Sequence, residues 1–412
     1  MSLSKHKKGE YYPVVIDIGS RFIRAGFAGE PNPIAVLSTS SDFKSSGSKT
    51  IELPPYYNIL DSSLTELQKS DIISSYMKED TIKQMSVIYN ENLNNWIHIN
   101  REEISPTVEL ILIGMVKRVI CEKLVSLPKN LKVIVVDPFY SLVNKFKLSN
   151  ILLNNIKVKS VSFISEPLLS IIGSNAFSGL VLNFGWDLSS ISAVMDMFLF
   201  KSEMIVDSCS GLMLHFKFIE RLLELNCDQV NSILLNSKNL FDIIESFIVN
   251  AVYVRSDDDK IPVNSNFEIM EDVFIPSRLR YEVVESIFFD DKKILDSVRV
   301  MIDTAPIDYR KSLLKNIIIT GGISHIPGFK SRMMQELRRY MTTKELEVNV
   351  SLGSWSGCSL YISSLLARKI KTWTKQEITR DTLKRITNEN RSGFILTGFP
   401  DPFNYQFKKN II

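Results

Sequence analysis

Cysteine and histidine are both scarce in this sequence, with four of each among 412 residues. No two cysteines form a CxxC pair, a pattern typical of buried thiols in a reducing compartment and not of a disulfide framework. The histidines are isolated from one another, so we expect no metal bound directly by protein side chains. The cysteines are Cys121, Cys209, Cys227 and Cys358.

Long hydrophobic runs and a strong charge bias are also missing. The best apolar candidate, residues 108–120, is interrupted by Glu109, Lys117 and Arg118, so no segment predicts a membrane span. Lysine and arginine number 49 against 46 for aspartate and glutamate, which gives a net charge of +3. A charge this small gives no reason to expect direct binding to nucleic acid or to an anionic membrane.

The sequence does contain a mixed succession of strand and helix patterns, long enough for two lobes. A strand, a glycine turn and a second strand occur twice, at 14–28 and 179–194. This repetition predicts two related α/β lobes that face a cleft. Residues 255–266 are interpreted as a polar loop. Further apolar runs predict buried strands at 132–136 and 317–320, and helical patterns lie at 109–127, 142–153, 212–225, 239–252, 276–288 and 293–302.

Three short motifs lie where strands end. In the first, DIGSR at 17–21, a glycine hairpin turn can point backbone N–H groups at an anion, and the aspartate can hold hydrated Mg²⁺. The second, NFGWD at 183–187, has the same placement but bulkier side chains. The third, TGG at 320–322, places paired glycines between a strand and a helix, where a flat ligand can approach the backbone. Each motif alone is also an ordinary tight turn.

Together and in this order, the three motifs resemble the phosphate hairpins and adenosine motif of the superfamily of actin, the sugar kinases and the heat-shock-70 ATPases. Residues 24–30 (RAGFAGE), 305–311 (APIDYRK) and 355–357 (WSG) are similar to actin and the actin-related proteins. The resemblance covers about 14–377 and is thin from 38 to 100. It implies an α/β, actin-like two-lobed ATPase fold made of duplicated ribonuclease-H-like domains, with an eroded outer subdomain.

The resemblance also divides the chain into parts. It implies a first lobe at 1–170 with a degenerate outer subdomain at about 38–100, a second lobe at 171–353, a return to the first lobe at 354–377 and a C-terminal extension at 378–412. The last part of that extension is apolar and aromatic. Two alternatives stay open for it, a docking tail or a segment that packs on its own lobe.

Carried over residue by residue, the resemblance implies a degenerate nucleotide site. Asp17 is the one candidate for a metal contact, through water to Mg²⁺. The site residues implied by the match are Asp17, Gly19, Ser20, Arg24, Glu166, Asn183, Gly185, Gly321 and Gly322.

Several matched positions depart from an ATPase. Arg21 replaces a glycine whose backbone approaches phosphate, so its side chain has to leave the site or fill it. Asn183 stands where actin has an aspartate, and a neutral amide does not supply the charge that organises Mg²⁺ and the attacking water. Arg24 replaces a lysine, and Glu166 replaces the glutamine that orients the water. We expect no ATP hydrolysis and no required cofactor, with ATP or ADP at most bound weakly or kept as a structural ligand.

The expected losses extend to assembly. Residues 38–100 take the place of the actin subdomain whose loop grips the next subunit of a filament, and they lack its pattern. The opposite, barbed-end face is expected to keep an apolar docking cleft. A protein that offers one of two heterologous contacts ends a filament instead of extending it. The cleft residues implied by the match are Ile172, Gly173, Tyr361 and Leu365.

Among the actin-related proteins, the resemblance is closest to the class at the pointed end of dynactin, the dynein activator. It implies a non-polymerising structural subunit that caps the short actin-related filament and contacts the pointed-end subunits of dynactin, in the cytoplasm and cytoskeleton. Two other classes stay open. One is a nuclear actin-related subunit of a chromatin remodelling complex, and the other is an active actin-like ATPase, against which Asn183 argues.

Overall fold

The computed structural model describes most of both predicted lobes. Two predicted features lie outside the described residues: the outer subdomain beyond residue 38, and the C-terminal extension beyond residue 391. The described residues are 11–38, 103–104, 106–206, 208–225, 240–255, 266–270, 273–341, 346–368 and 377–391.

The first lobe contains a five-stranded mixed sheet. Its strands are β1 (Tyr12–Ile18), β2 (Phe22–Phe27), β3 (Ala35–Ser38), β4 (Leu131–Asp137) and β5 (Ser160–Ser165). In space they follow the order β3-β2-β1-β4-β5, with β1 antiparallel to β2 and parallel to β4. β4 is buried at all but one residue, as its continuous apolar run predicts for a strand covered on both faces.

The second lobe repeats this arrangement. The strand order is β12-β11-β6-β7-β8, in which β6 is antiparallel to β7 and parallel to β11. Each sheet therefore places a hairpin beside a parallel strand, which confirms the predicted two-lobed α/β fold. The strands are β6 (Gly179–Phe184), β7 (Ser189–Met195), β8 (Phe198–Val206), β11 (Ile317–Thr320) and β12 (Val348–Asn349), and β9 (Asn266–Met270) pairs with β10 (Val273–Pro276) in a separate hairpin.

Helices cover both sheets. The first two each continue into a π-helical segment, Val119–Lys123 and Ile151–Ile156. Within the described part of the chain, no helix is long and apolar enough to cross a membrane. In chain order the helices are α1 (Pro106–Arg118), α2 (Leu142–Asn150), α3 (Glu166–Gly173), α4 (Gly211–Glu224), α5 (Leu240–Ala251), α6 (Leu279–Phe288), α7 (Lys293–Thr304), α8 (Ile307–Leu314), α9 (Phe329–Met341), α10 (Ser354–Ala367) and α11 (Arg380–Arg391).

The hairpin β9–β10 corrects the sequence interpretation near residue 276. The helical pattern was expected to begin there, but Pro276 ends β10 and α6 begins at Leu279. Exposed and half-buried residues alternate from Asn266 to Ile269, which is the period of a strand.

The beginning of the C-terminal extension packs on the first lobe. Ile378 forms a backbone bridge with Val161 of β5, and Arg380 donates to the carbonyl oxygen of Leu153 at 2.8 Å. Leu383 of α11 is buried in the apolar core of this lobe, as is Ile386. Residues 378–391 are thus part of the first lobe.

The two lobes meet through α3 and α10, which pack tightly against each other. The contact depends on Gly357 of α10, because a Cβ at this position would lie 2.0 Å from the carbonyl oxygen of Leu169 in α3. Trp355 at the start of α10 donates from Nε1 to the carbonyl oxygen of Val15 in β1, at 3.2 Å. Buried residues from both sheets join one core here, among them Val15, Ile134, Val136, Val181, Val194, Ile318, Trp355 and Ile362.

Two glycine substitutions test the importance of this junction. Gly357→Ala should lower the free energy of unfolding by about 1–3 kcal/mol, because the added methyl group forces α10 away from α3. Gly114→Ala in the exposed part of α1 is the matched control. A Cβ there meets nothing within 4 Å, so helix propensity should raise stability by up to about 1 kcal/mol. Urea denaturation measures both changes, and equal effects would refute the close contact.

Candidate functional site

The first hairpin turn lies between β1 and β2 at the edge of the cleft. The Gly19 N–H donates to the carbonyl oxygen of Phe22 at 2.9 Å, which closes the turn. Asp17 and Arg24 are cross-strand partners, and Arg24 Nη1 lies 3.2 Å from Asp17 Oδ2. Burial raises the pKa of Asp17, while the guanidinium of Arg24 acts in the opposite direction. The aspartate expected to hold water on Mg²⁺ is thus paired with an arginine.

The second hairpin turn faces the first across the cleft. The Gly185 N–H donates to the carbonyl oxygen of Leu188 at 3.1 Å, and the Gly185 carbonyl oxygen accepts from Gly211 at 3.0 Å. Ser20 of the first turn donates from Oγ to Oδ2 of Asp187 in the second turn, at 2.5 Å. Both side chains are buried. A direct hydrogen bond therefore joins the two turns.

Arg21 makes a further link between the turns. Its side chain is only 10% exposed, so it fills the cleft, one of the two outcomes that the sequence allowed. The Cζ atom lies 4.4 Å from the centre of the Trp186 ring, and Nη2 lies 3.2 Å from Oε1 of Glu245 in α5. A cation–π contact and an ion pair hold this guanidinium against the second lobe.

Glu245 is held in turn by His215 of α4. Its Oε2 lies 2.8 Å from His215 Nε2, and the imidazole ring stands edge-on to Trp186 with centroids 4.8 Å apart. Burial lowers the pKa of His215, while the hydrogen bond and charge of Glu245 act in the opposite direction, and Nε2 is the donor to the ionised carboxylate. Burial alone would raise the pKa of Glu245, but the hydrogen bond and charge of His215, and then the charge and hydrogen bond of Arg21, lower it to about 2.

Glu166 and Asn183 form another contact between the lobes. The Asn183 Nδ2 group, near the end of β6, lies 3.0 Å from both carboxylate oxygens of Glu166 at the start of α3. The Asn183 amide, expected to stand in place of an aspartate, is therefore a donor to Glu166, expected to stand in place of a glutamine. Tyr140 stands nearby and donates to the carbonyl oxygen of Ile18 at 2.9 Å. Burial raises its pKa, as do the charges of Asp17, Asp137 and Glu166.

The paired glycines of the third motif have different surroundings. Gly321 has a φ of +90°, and a Cβ there would lie 2.2 Å from the Phe184 carbonyl oxygen, so the close approach of β11 and β6 requires glycine. A Cβ on Gly322 would meet nothing within 4 Å, so the space directly beside this glycine is open. Partial burial lowers the pKa of the following His325, and the charges of Lys330 and Arg24 add to this effect.

Hydrogen bonds and an ion pair link several of the predicted site residues to one another or to their neighbours. Two further residues of the site were missed by the sequence analysis. Glu245 and His215 lie on helices far from any motif. One signal was available, because Glu245 is an isolated charge within the apolar run Ile243–Val249 of α5. Among the described residues, no group of three or more His, Cys, Asp or Glu side chains could hold a metal ion.

The predicted docking cleft needs a correction. Tyr361 and Leu365 are 5% and 1% exposed, because α10 packs on α3 and turns them into the core between the lobes. Gly173 is also buried, and Ile172 is half-buried. The apolar side chains exposed beside Gly173 belong to residues 350–352, the segment between β12 and α10. In this segment Leu352 is 66% and Val350 is 86% exposed. Leu352 donates its N–H to the Gly173 carbonyl oxygen at 3.1 Å.

The low pKa of Glu245 predicts a specific pH dependence. A free glutamate titrates near 4.5 and Glu245 near 2, so its charge stabilises the fold above pH 4.5 and this contribution is lost as the pH falls toward 2. The stability advantage of the native protein over Glu245→Gln should shrink by about 1 kcal/mol between pH 5 and pH 3.5. Urea titrations at both values measure it.

The control for this titration is Asp303→Asn, which removes a carboxylate that is 60% exposed and pairs with Arg299 on the surface of α7. Its effect should change by no more than a few tenths of a kcal/mol over the same range. A pH-independent difference between the native protein and Glu245→Gln would contradict the buried pairing.

Comparisons with known proteins agree with this architecture. The family model described as Actin matches residues 8–247 and 252–380. The chain is also similar to centractin from Schizosaccharomyces pombe, with 22% identity over 394 residues that cover 91% of this chain and 96% of centractin. The family match extends over both lobes, both hairpin turns and the glycines that follow β11. The chain belongs to the actin family and is an actin-related protein.

Proposed function

We propose that this actin-related protein is a non-polymerising structural subunit that caps the pointed end of a short actin-related filament of the dynactin type. It would thereby support dynein-driven transport along microtubules in the cytoplasm. The observation that carries the proposal is the occupation of the space between the two hairpin turns by the protein's own side chains. A cleft filled in this way suits a scaffold better than a nucleotide cycle.

We propose that magnesium triphosphate does not bind between these turns. The N–H groups of Gly19 and Gly185 donate to carbonyl oxygens within their own turns, and the hydroxyl of Ser20 donates to Asp187. The carboxylate of Glu245 stands behind Arg21 on the same side of the cleft. An incoming phosphate would have to displace these donors and would be repelled by the carboxylates. We therefore propose that the protein does not hydrolyse ATP.

Similarity to centractin supports an actin-related filament as the partner. The exposed apolar segment around Val350 and Leu352 is the surface that we assign to this contact, in place of the buried pair Tyr361 and Leu365. It lies beside the end of α3, on the junction of the two lobes, where a partner would touch both. Two exposed apolar side chains next to a half-buried Ile172 form a small patch suited to a protein partner.

Charged substitutions in this patch test the docking proposal. The double variant Val350→Asp/Leu352→Asp should fold as the native protein does, because both side chains are exposed, and should bind ends of assembled fission yeast centractin at least tenfold more weakly. Co-sedimentation with sheared filaments measures binding, and the rate of elongation measures capping. Leu110→Asp, also an exposed leucine, is the control and should bind normally.

Native protein that elongates filaments, or that binds their sides and not their ends, would contradict capping. Recovery from cells with chromatin remodelling subunits and without dynactin subunits would favour the nuclear alternative.

ATP turnover provides a separate test of the site. The purified protein should release no phosphate above the buffer rate, and Asn183→Asp should not restore hydrolysis, because Arg21 and the Ser20–Asp187 bond would still fill the cleft. Single-turnover assays with radiolabelled ATP measure this. One equivalent of phosphate released by the native protein would overturn the proposal.

A further inference from the structure

Arg21 is a buried cation that crosses from one lobe to the other. It belongs to the turn of the first hairpin, yet its guanidinium lies against Trp186 and Glu245 of the second lobe. An arginine side chain does not lose its charge in a protein, so a buried guanidinium needs an anion within reach. Removal of one partner from a buried pair is strongly destabilising because the other charge is left without compensation.

The anion comes from the chain itself. Glu245 approaches Arg21 with one oxygen and His215 with the other, so both carboxylate oxygens are engaged. The low pKa of Glu245 keeps it ionised throughout the physiological range. Trp186 lies over the guanidinium and against the imidazole, which excludes water from one side of the pair. These contacts join four side chains into one cluster, which consists of Arg21, Trp186, His215 and Glu245.

We propose that the pair of Arg21 and Glu245 is an internal latch that keeps the two lobes closed without nucleotide. A nucleotide and its metal bridge two lobes by placing charge between them, and the latch provides this bridge from residues 224 positions apart in one chain. This inference goes beyond the proposed function, because a filament cap can be built with or without a latch.

Two other contacts reinforce the closed state. The Ser20–Asp187 hydrogen bond joins the two turns, and the Asn183–Glu166 hydrogen bonds join β6 to the start of α3. The latch differs from both of them because it pairs two opposite full charges across the lobes, and their attraction is given up when the lobes separate. Opening of the cleft would separate the ion pair.

Thermal unfolding of the purified full chain tests the latch. The native protein should melt at the same temperature alone, with Mg–ATP and with EDTA. Arg21→Met keeps most of the side-chain volume but removes the charge, so its melting temperature should fall by about 3–8 °C. Its radius of gyration in small-angle X-ray scattering should also rise. Arg21→Lys keeps the charge without the planar fork. Its melting temperature should lie between those of the native protein and of Arg21→Met.

The matched control is Arg299→Met, which removes an arginine that is 61% exposed and pairs with Asp303 on the same helix. Its melting temperature should change by less than about 1 °C. If Arg21→Met does not fold, the double variant Arg21→Met/Glu245→Gln removes both charges of the pair and should recover part of the loss. Absence of any recovery would overturn the latch.

Two further outcomes would also overturn it. One is a native protein that melts several degrees lower in EDTA or higher with Mg–ATP, since a ligand of the folded state raises its stability. The other is an Arg21→Met variant that melts and scatters like the native protein. Neither outcome tests capping, because the filament assays measure capping independently. An opened Arg21→Met variant that still ends filaments supports the latch and leaves the cap intact.

Discussion

A positive charge buried between two lobes requires an anion nearby and a close approach of the two hairpin turns. Arg21 stands where the resemblance to actin implies a glycine, and its charge cannot be removed by titration. Burial of the guanidinium is tolerable because Glu245 and Trp186 meet it from the second lobe, and because His215 fixes the carboxylate in place. The remaining contacts of the cleft follow from this arrangement, since the two turns must come close for the pair to form.

The lobe junction makes that approach possible. α10 sits directly on α3 because Gly357 leaves room for the Leu169 carbonyl oxygen, and Trp355 ties the same helix to β1. The resulting core includes residues of both sheets, so the lobes are joined below the cleft by apolar packing and within the cleft by polar links.

The sequence predicted the parts of this structure that depend on local pattern. Continuous apolar runs identified β4 and β11, and the two strand–turn–strand repeats identified the duplicated lobes. The partner of Arg21 was not predictable, because Glu245 lies on a distant helix and only the fold brings the two together. Tyr361 and Leu365 were expected to line a docking cleft, and their burial was not evident from the sequence, since nothing local to them reveals how closely α10 approaches α3.

We propose that side chains of this chain take the place of a nucleotide between the lobes. Native mass spectrometry of the full chain, purified without added nucleotide or chelator, tests it most directly. We expect a species with the mass of the polypeptide alone, 47.0 kDa, in its compact charge states. A species heavier by one nucleotide and one magnesium ion, which loses its compact charge states when the nucleotide is stripped, would contradict the account.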